Sequence, residues 1–349
     1  MRYIINSGGL EITNHCNLDC IHCYIDGKIS HTTFMNYGTI IHLIEEFILH
    51  KASFITITGG EPLLHPDIER IITLIGTTYS ATTFYVATNG TAFSDKLIER
   101  IRMYNNIVLQ ISLDGSCKST HEKQHGINTF NRVMEALSNL VDFPRERKIV
   151  RMTISKVNYK ECVSVAEIAR QYNAQTSFVY VSKVGRACEN WAVLEMSLSQ
   201  KLYANELLIR YAKMYPDERI SPPVSVQSCS FNDPNSNLNV TIHVDGSADI
   251  CSCLDTTYFI GNAYTDSFDK MLNSPKIDEI FAKTRKRTEQ IKSTACGDCP
   301  AIHKCRQGCI GRASMNGDEM GHDGECPYRK ALLFKNLFMH ATKTEGWYK

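Results

Sequence analysis

No run of about 18 uninterrupted apolar residues occurs anywhere in the chain, so no membrane-spanning helix is written into it. The first nine residues, Met1 to Gly9, lack the apolar core of a secretory signal. Charge of one sign is missing as well: 38 Lys and Arg stand against 37 Asp and Glu. With no global field to draw it to polyanions, neither nucleic acid nor a membrane surface is expected as a partner. There is no internal repeat and no low-complexity tract. Hydrophobic residues at 43% and charged residues at 21% of 349 positions fit a soluble globular protein with one full-sized domain and an appendage.

Cysteine, by contrast, is in excess. The chain has fourteen, about twice or more the usual share. Without a signal peptide the protein is expected to be cytoplasmic, where clustered cysteines serve as metal ligands rather than disulfides.

From residue 9 to about 182, short β-branched runs alternate with helical patterns, the signature of βα units around a parallel sheet. Strands are predicted over 9–13, 53–58, 82–87, 107–113, 148–155 and 177–182. Helices are predicted over 36–50, 66–79, 94–104, 128–142 and 159–172. Six strands in this order fit an α/β fold, either a partial (β/α)6 barrel or a doubly wound sheet, with function at the C-terminal strand ends in both cases. After Gly185 the rhythm changes. A helix over 199–214 leads to Ser221, Pro222 and Pro223, and then to a hairpin over 238–251 turning at Asp245 and Gly246. The expected division is 1–190 for the barrel, 191–225 for a bridging helical region and 226–349 for a small cysteine-rich α+β domain. The basic segment of Lys283, Arg285, Lys286, Arg287 and Lys292 reads as a solvated helix face.

Cys16, Cys20 and Cys23 form a C-x3-C-x2-C set directly after the first strand. Three thiolates on a four-iron cluster leave one iron free for a small molecule, whereas a structural zinc would need a fourth ligand, for which His15 or His22 is at hand. Polar groups then end the next strands in turn: Thr58, Gly59, Gly60 and Glu61, then Thr88, Asn89 and Gly90, then Ser112, Leu113, Asp114 and Gly115. Glycines there permit close approach of a ligand to backbone, and Glu61 can accept from an ammonium group.

In this order and spacing, residues 9 to about 182 resemble the radical S-adenosylmethionine superfamily. The resemblance implies that Cys16, Cys20 and Cys23 bind a [4Fe-4S] cluster whose open iron is chelated by S-adenosylmethionine. It further implies that Gly59, Gly60 and Glu61 hold the methionine ammonium, that Asn89 and Ser112 meet the ribose and nearby polar atoms, and that His22 sits beside adenine. Reductive cleavage would then give a 5′-deoxyadenosyl radical. Where relatives often carry an Arg for the methionine carboxylate, this chain has His125, with Arg151 and Lys123 as alternatives.

The second cysteine group, Cys296, Cys299, Cys305 and Cys309 with Cys229, Cys251 and Cys326, resembles the SPASM domain, which binds two auxiliary [4Fe-4S] clusters. Carried over, Cys296, Cys299, Cys305 and Cys326 would hold the outer cluster. Cys229, Cys251 and Cys309 would hold the inner one, with its fourth position open to Cys253, to substrate or to none. Cys117, Cys162 and Cys188 are ordinary core or surface residues. Gly185, Arg186 and Ala187 shape the passage between domains, and Arg186 can meet either a substrate carboxylate or a structural partner.

SPASM proteins mainly modify peptides and proteins, so the resemblance implies a maturase of ribosomally made peptides. Its partners would be a peptide substrate and an electron donor such as flavodoxin or ferredoxin; since the cysteine loop begins at residue 16, any leader recognition would use a separate leader-binding protein or another surface. An anaerobic sulfatase-maturase-like oxidase is the alternative, although Ser252 stands where that family has an Asp, and Asp255 lies three residues on. A small-alcohol dehydrogenase is a third enzyme class. A non-catalytic iron-sulfur or zinc protein would leave the polar rim without a purpose.

Overall fold

The structure, a computed structural model, describes residues 3–218, 220, 229–233, 235–293 and 296–332. The stretch Ser221, Pro222 and Pro223 and the side chain of Lys292 lie outside the described residues.

The described residues form a nine-stranded sheet. Its first six strands are β1 (Ile5–Glu11), β2 (Phe54–Thr58), β3 (Thr83–Thr88), β4 (Ile107–Ser112), β5 (Lys148–Ile154) and β6 (Gln175–Tyr180). All are parallel, and each pairs with the next in chain order. A doubly wound sheet would reverse its order at a switch point. With no reversal every crossover falls on one side, which is the partial barrel.

Side-chain alternation separates the two faces. Ile55, Ile57, Phe84, Val86, Leu109, Ile111, Val150 and Met152 are almost fully buried in the core cluster they share with the helices. Their neighbours Thr56, Thr58, Gln110, Ser112 and Arg151 are half-buried and line the lumen. The covering helices are α1 (Tyr37–Leu49), α2 (Ile68–Thr77), α3 (Asp95–Arg102), α4 (Lys118–His125), α5 (Phe130–Asn139) and α6 (Cys162–Gln171). Their starts are set locally: Asn36 caps α1 by accepting from Gly38 N, and Ser94 caps α3 by accepting from Leu97 N. On α2, Ile68, Ile71, Ile72 and Ile75 make a stripe at helical spacing that faces the sheet.

One element departs from the sequence expectation. The polar helix α4 is absent from the reading because it has no apolar stripe; its buried face consists of Thr120, His121, Gln124 and His125. The first strand also starts earlier than expected, at Ile5.

After the short α7 (Trp191–Leu194), α8 (Leu198–Met214) opens with a capping box between Ser197 and Gln200. The expected hairpin is β7 (Leu238–Ile242) and β8 (Ser247–Asp249), followed by β9 (Gly261–Asn262). It is not a separate sheet: β7 adds parallel to β1, so the C-terminal unit continues the barrel past its first strand.

Beyond it lie α9 (Phe268–Leu272), α10 (Pro275–Glu289), α11 (Ile302–Cys305), α12 (Ile310–Met315) and a last described helix over 326–332. On α10 the expected solvated face is partly wrong. Arg287 is 1% exposed, and its guanidinium donates to the carbonyls of Gln307 and Gly308 at 2.9 and 3.1 Å and to that of Gly321. A buried planar cation with several carbonyl partners orders the cysteine-bearing loop instead of facing water. No described helix is long and apolar enough to cross a membrane.

Candidate active site and auxiliary cysteine sets

The loop after β1 carries Cys16, Cys20 and Cys23 over the C-terminal ends of the strands. Backbone shapes it. Leu18 N donates to Cys16 Sγ at 3.4 Å and Gly27 N to Cys23 Sγ at 3.3 Å, while Gly60 N and Glu61 N donate to the carbonyls of Thr13 and His15 at 2.7 and 2.8 Å. A Cβ on Gly59 would come within 2.3 Å of the Thr13 carbonyl oxygen, and one on Gly60 within 2.2 Å of that of His15. The two glycines are therefore required for the end of β2 to lie against the loop. Burial pushes the Cys16 thiol up to about 12. Such a thiol becomes a thiolate only when a metal takes the proton's place.

Among the described residues, the one set of three donor atoms all within 4.8 Å of each other is His22, Asp114 and His125. The residues around the loop fit a four-iron cluster: three thiols, backbone N–H groups aimed at two of the sulfurs, and a buried cation beneath.

That cation is Arg186. It donates to the carbonyls of Cys20 and Gly27 at 2.8 Å each and pairs with Asp19 at 2.7 Å and Asp26 at 3.0 Å. Its own N–H reaches Cys23 O at 2.9 Å. Of the two roles open to it from sequence, the structural one holds: Arg186 clamps the cysteine loop and its guanidinium is fully engaged.

Glu61 is completely buried, and its carboxylate accepts from Leu63 N at 3.0 Å, Thr88 Oγ1 at 2.8 Å and Asn89 N at 2.7 Å. Burial pushes it up to about 7, against the pull of those hydrogen bonds. Asn89 Nδ2 donates to Asn17 Oδ1 at 2.9 Å and lies 3.8 Å from Cys16 Sγ. The Glu61 and Asn89 side chains thus join the ends of β2 and β3 to the cysteine loop. Ser112 is half-buried at the end of β4, in register with Arg151 on β5. No hydrogen bond or ion pair engages the Arg151 guanidinium among the described residues; burial lowers its pKa, with Tyr24 and Asp114 nearby pulling the other way. Lys123 is exposed on α4.

His125 is placed differently from the expectation that it meets a methionine carboxylate. It is 4% exposed, with Nδ1 3.3 Å from Cys20 Sγ and Nε2 2.8 Å from Asp114 Oδ2. Neither ring nitrogen is left for another ligand. Burial acts to lower its pKa, but Cys20 and Asp114 outweigh it and hold the imidazole well above its usual value. His22 Nε2 is 3.1 Å from the same Asp114 oxygen. Burial keeps His22 neutral, at about 4. Asp114 also receives Gln124 Nε2 at 3.0 Å and Thr153 N at 2.7 Å, so its oxygens are saturated by donors, leaving no position for an ion.

The auxiliary cysteines fall into two sets. In the inner one, Cys309 shares hydrogen bonds with Cys229 and Cys253, and Cys253 with Cys251. Cys253 thus lies beside the three cysteines expected there, with its Cβ packed closely against Gly311. In the outer one, Cys296, Cys299, Cys305 and Cys326 line one cavity with Asp323 and Arg329. Arg329 is ion-paired to Asp323 and lies 3.9 Å from Cys305 Sγ. Cys162 is buried in the core, while Cys117 and Cys188 are exposed, as expected.

A partial barrel with three thiols at its mouth and two four-cysteine sets beyond it defines an iron-sulfur enzyme. Residues 10–169 match the family model of the Radical SAM superfamily, and residues 234–300 match that of an iron-sulfur cluster-binding domain, SPASM. The chain thus carries a radical SAM domain and a C-terminal SPASM domain; its cofactors are [4Fe-4S] clusters and S-adenosylmethionine. Among similar proteins, the mycofactocin maturase MftC of Mycobacterium tuberculosis (strain H37Rv) is 22% identical over 330 residues, covering 90% of this chain and 81% of that protein. The AdoMet-dependent heme synthase of Methanosarcina barkeri is 25% identical over 348 residues, covering 91% and 95%. Streptococcus suis SuiB, solved bound to precursor peptide SuiA, superposes with a TM-score of 0.71 at 14% identity, covering 92% of this chain and 75% of that one. This likeness establishes the shared fold.

Proposed function

We propose that the protein is a peptide maturase that abstracts hydrogen from a residue of a ribosomally made precursor and completes an oxidation or cross-link there. The observation that carries this is the lumen mouth, where the cysteine loop, Ser112 and the unengaged Arg151 share one rim, with Cys251 and Cys253 of the inner set directly after the strand hairpin that adds to β1. Similarity to a maturase and to a protein solved with a precursor peptide supports the substrate class.

When bound, the cluster and S-adenosylmethionine supply the 5′-deoxyadenosyl radical. This chain's residues do the rest. Cys16, Cys20 and Cys23 would hold the cluster; Gly59 and Gly60 would let the ligand lie against backbone; His22, Asn89 and Ser112 would border the nucleoside; and Arg151 would take the methionine carboxylate in place of His125. Glu61 orders the rim through its three donors. Cys229, Cys251, Cys253 and Cys309, with Cys296, Cys299, Cys305 and Cys326, would hold the auxiliary clusters. The proposed setting is cytoplasmic, with a flavodoxin or ferredoxin as electron donor and a separate leader-binding protein.

The sulfatase-maturase alternative needs a carboxylate beside the inner set. Ser252 is exposed there, and Asp255 is occupied in accepting from Thr257 N at 2.8 Å as the cap of a short turn.

The test is iron and acid-labile sulfide per chain after anaerobic reconstitution, together with 5′-deoxyadenosine formation and the mass of a precursor peptide encoded beside the gene. Wild type should carry about twelve irons and the Cys16, Cys20, Cys23 triple Ala variant about eight, with nucleoside formation lost. Nucleoside formed with no change in any peptide, but with turnover of a tetrapyrrole or other small molecule, would overturn the peptide reading.

A further inference from the structure

We infer that His125 is a positioning residue for the catalytic cluster: held by Asp114, it donates an N–H hydrogen bond to the sulfur of Cys20 and sets the ease with which the cluster is reduced. This rests on the reading of Cys20 as a cluster ligand.

The geometry is a linear chain, Asp114 Oδ2 to His125 Nε2 at 2.8 Å and His125 Nδ1 to Cys20 Sγ at 3.3 Å. A thiolate at Cys20 would be a pure acceptor, so the hydrogen of that contact would sit on Nδ1. The ring cannot swing away. His121 stacks on it with centroids 4.4 Å apart and planes 10° from parallel, and His22 meets it edge-on at 5.0 Å. His121 is itself oriented by accepting from Asp114 N at 3.1 Å. Asp114 is fixed by Gln124 and by Thr153 N, which anchors the network to β5. An N–H aimed at a cluster sulfur draws charge from it and stabilises the reduced state more than the oxidised one, so it raises the reduction potential. Cys23 receives a backbone N–H from Gly27 at 3.3 Å; Cys16 receives one from Leu18 at 3.4 Å and, at the longer distance of 3.8 Å, the Asn89 side-chain amide. Of these side-chain contacts the one at Cys20 is the shorter, 3.3 Å against 3.8 Å, and comes from a buried, anchored ring.

The experiment is a redox titration of reconstituted holoenzyme followed by electron paramagnetic resonance. The catalytic cluster is identified as the signal that changes when S-adenosylmethionine is added. Iron is measured in every sample. The variants are His125→Leu, which removes the donor; His125→Gln, whose amide N–H can partly replace it; and Asp114→Asn, which leaves His125 in place but removes the carboxylate that anchors its ring.

The expected result is a midpoint more negative than wild type in all three, largest for His125→Leu and partly restored in His125→Gln, with the auxiliary signals unmoved. Should His125→Leu fail to retain iron, the other two variants decide. Midpoints equal to wild type in iron-replete His125→Gln and Asp114→Asn would overturn the inference. Wild type without iron would instead overturn the assignment of Cys20 as a ligand.

Discussion

Glu11 Oε2 lies 2.8 Å from His243 Nδ1, and the same ring reaches Asp249 Oδ2 through Nε2 at 3.0 Å. The triad ties the end of β1 to the residue after β7 and to the end of β8, where the barrel passes into the cysteine-rich unit. Burial would lower the imidazole, but the two carboxylates overcome it and push it up to about 10. A histidine whose folded pKa is raised adds stability that is complete below its unfolded value of about 6.5 and is lost as pH climbs through its folded one. His243→Gln should therefore melt well below wild type at neutral pH, by about 3 kcal/mol in stability. The gap between the two should close as pH passes about 10. Thermal melts of both proteins from neutral to alkaline pH check this, and a gap independent of pH would remove the ionic contribution.

With Cys253 proposed as the fourth inner ligand, Cys253→Ala should lower reconstituted iron from about twelve toward about eight per chain, or leave a cluster that bleaches quickly with chelator. Cys188→Ala, at an exposed thiol outside both sets, should keep full iron. Equal iron in both variants would show that the inner cluster needs only three cysteines.

Gly59 has φ +134° and no room for a Cβ, since the obstacle is the Thr13 backbone. Gly59→Ala should destabilise the protein by about 3 kcal/mol and loosen the cysteine loop. Gly126 also has positive φ, +93°, but nothing within 4 Å of its would-be Cβ. Gly126→Ala should cost only about 1 kcal/mol. Denaturant midpoints of the two variants measure the difference.

Arg186 holds two carbonyls and two carboxylates with one planar fork. Lysine keeps the charge but cannot reproduce that geometry. Arg186→Lys should lose iron to chelator markedly faster than wild type, close to the rate of Arg186→Ala. Retention at the wild-type rate would mean that charge alone secures the loop.

Much of this was visible along the chain. The β2 to β5 strands and the helices α2, α3, α5 and α6 follow from alternation and apolar spacing, which are local properties of side chains meeting one core. The polar groups at the ends of successive strands and the spacing of the three thiols are local too, because each loop is short and its ligands come from neighbouring positions. Helix α4 was invisible for the same reason reversed: its buried face is polar, and a polar stripe carries no hydrophobic signal.

Linear order therefore dictated the class of fold and the three-thiol loop, while the division of the later cysteines into an inner and an outer group came from the resemblance to a SPASM domain. Folding decided the relations that cross from one element to another. Parallel addition of β7 to β1 makes one sheet of two units, and packing against Gly311 brings Cys253 to Cys309. Burial turned His125 from a ligand-facing residue into a bridge between Asp114 and Cys20, and it drew Arg287 and Arg186 inward to cap carbonyls. Each of these depends on which polar groups lose water and must find a partner inside, a condition that arises only once distant segments close around them.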